Sequence, residues 1–212
     1  MKKLTLAFCI LLAGSPLAHA MDTTTTKTVG DAEAGKTKNT TCVACHGADG
    51  NSPMTIYPKL AGQHASYTIK QLQNFKAGKR QNPIMAPMAT ALSEQDMADL
   101  AAYFESQAVQ PGQANEELVE QGKRIYLGGD QKSGVSACVA CHGPNGKGNP
   151  ASKYPALSHQ HADYMVKQLQ DFKAGNRGAG TDDPNQIMMI DIASRMTEGE
   201  MKAVASYIQG LN

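Results

Sequence analysis

Two short segments hold the residues best suited to chemistry: Cys42-Val43-Ala44-Cys45-His46 and Cys138-Val139-Ala140-Cys141-His142. In each, two thiols stand three positions apart, close to one helical turn. Both can then reach the two vinyl groups on one edge of a single haem, and the adjacent histidine lies under the iron. This is the spacing of c-type haem attachment, with His46 and His142 as proximal ligands. Other uses of paired cysteines fit less well. A disulfide within Cys-x-x-Cys closes a tiny loop and staples little. A zinc site needs four ligands converging on one point, whereas a whole repeat unit separates these two motifs. A thioredoxin-like motif expects a βαβ setting, and the sequence shows no sign of one. The expected cofactor is haem c, two covalently bound per chain.

The opposite side of each iron needs a second ligand. Met54, His64, Met85, Met88 and Met97 are available in the first half, and His159, His161, Met165, Met188, Met189, Met196 and Met201 in the second. An internal repeat discriminates among them. Residues 57–80 read YPKLAGQHASYTIKQLQNFKAGKR and residues 154–177 read YPALSHQHADYMVKQLQDFKAGNR, identical at sixteen of 24 positions. Aligning Ser93 on Thr197 superposes Met85 on Met189. Met88 then falls on Ile192, and Met188 on Ile84. Met97 pairs with Met201, but both lie on an apolar helix face and read as core. His64 pairs with His161, so both keep a competing claim, against a plainer role at a helix start. The repeat favours Met85 and Met189. A His/Met pair fills both axial positions, leaves no open site for substrate, and raises the reduction potential.

The elements that position these groups are helical. Ser93 with Asp96, and Thr197 with Glu200, have the capping-box pattern. Met97, Leu100, Ala101 and Phe104 follow at i, i+3, i+4, i+7, and Met201, Val204, Ala205 and Ile208 repeat the stripe. A middle helix follows Gln63-His64 and ends at Gly78; its partner follows Gln160-His161 and ends at Gly175. An earlier helix spans 31–41, matched by 116–126. Neither half shows sustained alternation, so no sheet is expected. The fold class is all-α, two tandem domains related by the repeat. The first covers 21–107 and the second 115–212. Residues 108–114, with Pro111-Gly112, form a linker, short enough that the domains must pack together. Gly178 to Pro184 lengthens the second copy and reads as a loop.

Residues 1–20 read as a cleaved signal peptide: Lys2 and Lys3, an apolar run from Leu4 to Ala13, and Ala18-His19-Ala20. Cys9 leaves with it. The protein is therefore expected to be exported. The apolar run is too short for a membrane span, which takes about 20 residues, and nothing in the mature chain replaces it. No segment encodes membrane association, which leaves only a peripheral one, through a partner. The net charge of +1 argues against nucleic-acid binding, which leans on a basic surface. With no Trp and four Phe in the chain, the cores are thin in aromatics, and a porphyrin would help to fill them.

With these features in hand, the chain resembles the dihaem cytochrome c4 family of bacteria. The resemblance rests on CVACHG twice, YPKLAGQ and YPALSHQ, KQLQNFKAG and KQLQDFKAG, and the closing SYIQGLN. It implies two class I cytochrome c-like domains packed with pseudo-twofold symmetry. It puts Met85 and Met189 in the distal positions. It makes Pro58 and Pro155 the prolines whose carbonyls orient the proximal histidines, and Leu60 and Leu157 apolar haem contacts. Gly62 becomes His159 in the second copy, so the local turn there is expected to differ. The implied role is a periplasmic electron carrier, not an enzyme. It would take electrons from a quinol-oxidising cytochrome bc-type complex or another donor, and pass them to a terminal oxidase. The rival readings are a haem subunit of a flavocytochrome-type dehydrogenase and, more distantly, a dihaem peroxidase.

Overall fold

Each half begins with a capped helix that crosses the half's last helix. The computed structural model describes residues 28–212; the signal peptide expected over 1–20 lies outside them. In the first half Asp31 accepts hydrogen bonds from the Glu33 and Ala34 amides and opens α1, Ala32–Lys38, which runs into a 3₁₀ turn, Asn39–Thr41. Then come α2 (Val43–His46), α3 (Ala65–Lys76), α4 (Met85–Thr90) and α5 (Glu94–Ser106). The second half repeats the order with α6 (Glu116–Gly128), α7 (Val139–His142), α8 (Ala162–Lys173), α9 (Pro184–Arg195) and α10 (Glu198–Gln209). Both capping boxes form, at Ser93/Asp96 and Thr197/Glu200. Among the described residues, strand pairing is confined to isolated bridges.

The two crossings are close because glycine permits it. A Cβ on Gly35 of α1 would lie 2.0 Å from the Asp99 carbonyl oxygen of α5, and one on Gly122 of α6 would lie 2.1 Å from that of Ala203 in α10. The apolar stripes of α5 and α10 then face inward. Met97, Leu100, Ala101 and Phe104 are buried, as are Met201, Val204, Ala205 and Ile208. In the second half they join Ile125, Tyr126, Leu169 and Phe172 in one core. Met97 and Met201 are thus core residues, as their stripe predicted.

Two features differ from the expectation. The segments that carry Met85 and Met189 also form helices, α4 and α9, which the apolar periodicity did not signal. Pro184 is not loop: it opens α9 under an Asp183 cap, because proline suits a first helical turn whose amide has no partner. The loop proper ends at Asp183, whose carboxylate reaches across to Lys70 of α3 at 2.5 Å.

The halves pack about a pseudo-twofold axis, and their contacts are reciprocal. Arg80 and Arg177 form an antiparallel bridge. Arg80 donates to Tyr164 Oη (3.1 Å) and Gln168 Oε1 (2.7 Å), and Arg177 donates to Tyr67 Oη (2.7 Å) and Gln71 Oε1 (3.2 Å). Each guanidinium stacks on a phenylalanine of its own half, Phe75 or Phe172, at 4.5 and 4.4 Å. The connection between halves is pinned to both. Asn51 of the first half bonds Ala108 and Gln110, and Gln209 of the second bonds Gln113.

Candidate haem sites

α2 and α7 are single turns that present Cys42, Cys45 and His46, and Cys138, Cys141 and His142, along one short stretch of helix. No disulfide joins these four cysteines. Burial raises the Cys42 thiol pKa and pushes Cys138 up to about 11. A thioredoxin-like motif sits in a βαβ unit, whereas strand pairing among the described residues is confined to isolated bridges.

The histidines are held by the next segment of chain. His46 Nδ1 donates to the Pro58 carbonyl at 2.9 Å, and His142 Nδ1 to the Pro155 carbonyl at 3.0 Å. A carbonyl only accepts, so the proton sits on Nδ1 and the Nε2 lone pair stays available. Both rings are buried, 6% and 9% exposed. Burial lowers both pKa values, against the upward pull of the proline carbonyls. The rings are therefore neutral, which is the ligating form.

Leu60 and Leu157 take equivalent places. Their amides donate to the Gly50 and Gly146 carbonyls, each at 2.7 Å. Leu60 packs with Cys42 against the first core, and Leu157 packs with Cys138 and Met189 against the second. Met85 heads α4, its amide bonded to Asn82 Oδ1. Met85 and Met189 are half-buried, while Met88 and Met188 are 38% and 40% exposed. The competing histidines are engaged elsewhere. His64 Nε2 donates to the Lys147 carbonyl (2.7 Å) and His161 Nε2 to the Ser52 carbonyl (2.8 Å), each across the domain boundary. In both halves the donor set fits a haem: two unpaired thiols, a neutral buried imidazole with a fixed tautomer, and an apolar wall.

The turn at 62 and 159 does not differ between copies. Gly62 has φ +68° and His159 φ +63°, and each amide donates to the last helix of its half, at Phe104 and Ile208. That bond holds the backbone in the left-handed region whichever residue occupies it.

Tyr57, Tyr154, Gln63, Gln160, Arg80 and Arg177 also belong to the site and its supports. The tyrosine rings lie 6.3 Å from the histidine rings, and the glutamines and arginines build the interface. All six were identical between the two copies, which was the available signal.

The fold and paired motifs define a two-domain c-type cytochrome. A profile of the cytochrome c family matches residues 32–108 and 119–212. Cytochrome c4 of Pseudomonas aeruginosa is 44% identical over 212 residues, covering 100% of both chains. The crystal structure of reduced recombinant cytochrome c4 from Pseudomonas stutzeri superposes with a TM-score of 0.82 at 45% identity, covering 87% of this chain and 100% of that one. The thiosulfate dehydrogenase electron acceptor of Stutzerimonas stutzeri is 41% identical over 170 residues, 78% of this chain and 76% of the relative. The chain belongs to the cytochrome c4 family. It is an electron-transfer cytochrome with two covalently attached haem c groups, at Cys42/Cys45 and Cys138/Cys141. Among the described residues no helix is long and apolar enough to cross a membrane.

Proposed function

We propose that this protein is a periplasmic carrier between a quinol-oxidising bc-type complex, or another donor, and a terminal oxidase. Residues 1–20 are its cleaved export signal, and its domains cover 21–107 and 115–212. His46 and Met85 ligate the first iron, and His142 and Met189 the second. The observation that carries the reading is the duplicated histidine–proline geometry, which sets two neutral imidazoles in like surroundings.

When bound, haem iron passes one electron at a time between its ferric and ferrous states. The chain's own residues do the rest. The thioether-forming cysteines fix each ring to α2 or α7. The Pro58 and Pro155 carbonyls hold the imidazole tautomer and orientation. Leu60 and Leu157 supply apolar walls. The thioethers of Met85 and Met189 would hold the iron on the side away from the histidines, favour the ferrous state and leave no place for peroxide.

Ferric His/Met haem has a weak far-red charge-transfer band. Met85→Ala and Met189→Ala are each expected to remove about half of it, while Met88→Ala and Met188→Ala leave it whole. A band unchanged in either of the first two variants would sink the ligand assignment. Reduction by a solubilised bc-type complex, followed by reoxidation by a haem-copper oxidase, tests the carrier role. A second reading, electron acceptor of a dehydrogenase, draws on the thiosulfate dehydrogenase relative. Stoichiometric co-purification with a dehydrogenase, and no reduction by the bc-type complex, would favour it.

A further inference from the structure

The peptide unit behind each proximal histidine carries a second hydrogen bond. The carbonyl of Pro58 and the amide N–H of Lys59 belong to one planar group. The carbonyl accepts from His46 Nδ1 at 2.9 Å, and the N–H donates to Gln160 Oε1 at 2.8 Å. Gln160 also donates from Nε2 to the Lys59 carbonyl at 2.9 Å. Gln160 belongs to the other half of the molecule. The second site mirrors this arrangement. The Pro155 carbonyl accepts from His142 Nδ1 at 3.0 Å, the Ala156 N–H donates to Gln63 Oε1 at 2.9 Å, and Gln63 Nε2 donates to the Ala156 carbonyl at 2.9 Å.

Both glutamines are buried, 9% exposed at Gln63 and 7% at Gln160. Their orientation is set locally, since each Oε1 also accepts from the following histidine amide, His64 or His161. Two carboxamides thus lie across the domain boundary, each gripping the backbone of the other half's haem-orienting segment.

We propose that Gln160 and Gln63 are crossed positioning residues, each tuning the proximal histidine of the other domain's haem through a shared peptide group. Hydrogen bonds in series polarise one another. Donation from the Lys59 N–H to Gln160 draws charge onto the Pro58 oxygen and strengthens its hold on the His46 proton. The imidazole becomes a more basic ligand and favours ferric iron. The first haem is therefore held at a lower potential by a residue of the second domain, and the second haem by a residue of the first.

The inference rests on His46 and His142 being the proximal ligands. Loss of the low-spin spectrum of one haem in His46→Gly and His142→Gly reports on that reading by itself. The test proper uses the haem-loaded full chain, with each haem's potential resolved by NMR-monitored redox titration. Gln160→Met keeps the side-chain volume and removes the amide. It is expected to raise the first haem's potential by about a twofold to threefold shift in its reduction equilibrium, roughly 18–28 mV at 59 mV per tenfold. The second haem should move less. Gln63→Met is expected to give the mirror pattern. Amide exchange should quicken at Lys59 in the first variant and at Ala156 in the second. Lys70→Met, which breaks the inter-domain pair with Asp183 away from both peptides, serves as the control for general loosening. The proposal is overturned if each glutamine variant moves mainly its own domain's haem, if both haems move equally, if neither moves, or if Lys70→Met reproduces the crossed pattern.

Discussion

Gly122→Ala offers a direct test of how the second domain is built. α6 and α10 cross at this residue. A methyl group there would sit 2.1 Å from the Ala203 carbonyl oxygen and 2.7 Å from Tyr207 Cβ. Ordinary contacts of a Cβ begin near 3.4 Å, so one helix must retreat by more than an ångström. The obstacle is backbone and cannot rotate away. Propensity works the other way, since alanine gains about 1 kcal/mol over glycine inside a helix. Overpacking costs about 1–3 kcal/mol, with the upper end expected against backbone. The net expectation is a loss of about 1–2 kcal/mol, or a fall in Tm of roughly 5–15 °C for a domain near 100 residues. Gly199→Ala in α10 is the matched control. Its Cβ meets nothing within 4 Å, so it keeps the propensity gain of up to about 1 kcal/mol. Thermal unfolding of the haem-loaded protein, followed by far-UV circular dichroism, reads both. The same chemical change should give opposite signs at two glycines of one helix pair. A Gly122→Ala protein melting at or above wild type would refute the close-crossing argument.

Other outcomes follow from single contacts. Gly62→Ala has room for its methyl, the nearest atom being 3.6 Å away, so its cost is conformational: about 1–2 kcal/mol for a left-handed residue, read as a lower denaturation midpoint. Gly62→Asn should lose less, because asparagine tolerates that region. At Asp183, burial works to raise the carboxyl pKa, but Lys70 and Gln186 hold it below the ordinary value. A depressed folded pKa gives stability that is present above the unfolded value near 3.9 and is lost as pH falls through the folded one. Asp183→Asn should therefore lower Tm at neutral pH, by an amount matching about 0.2–1 kcal/mol for an ion pair, and the gap to wild type should close on acidification below about pH 4. A gap that stayed constant down to pH 2 would contradict the assignment.

Much of the site was legible because its chemistry is local. Two thiols and an imidazole within five residues define haem attachment whatever surrounds them. Duplication made more legible than one copy could: it separated Met85 and Met189 from their neighbours and marked both capping boxes. The helix that begins at Met85 was not legible because α4 is only six residues long, too short to show a period. The turn at His159 is not legible from residue type for a related reason. Residue type predicts left-handed backbone only weakly, and here a hydrogen bond to Ile208 decides it.

The sequence by itself determined the two haem attachments, the all-helical class, the doubling of the domain and the residues competing to ligate iron. Those follow from short-range spacing and from comparing one half with the other. Tertiary structure decided what depends on groups distant in the chain. It tied His64 and His161 to carbonyls of the opposite half and so weakened their claim on iron. It set Arg80 beside Arg177 across the pseudo-twofold axis. It also brought Gln160 against Lys59, 101 positions away. No local pattern encodes such a pairing, because it forms only once two separately folded surfaces meet.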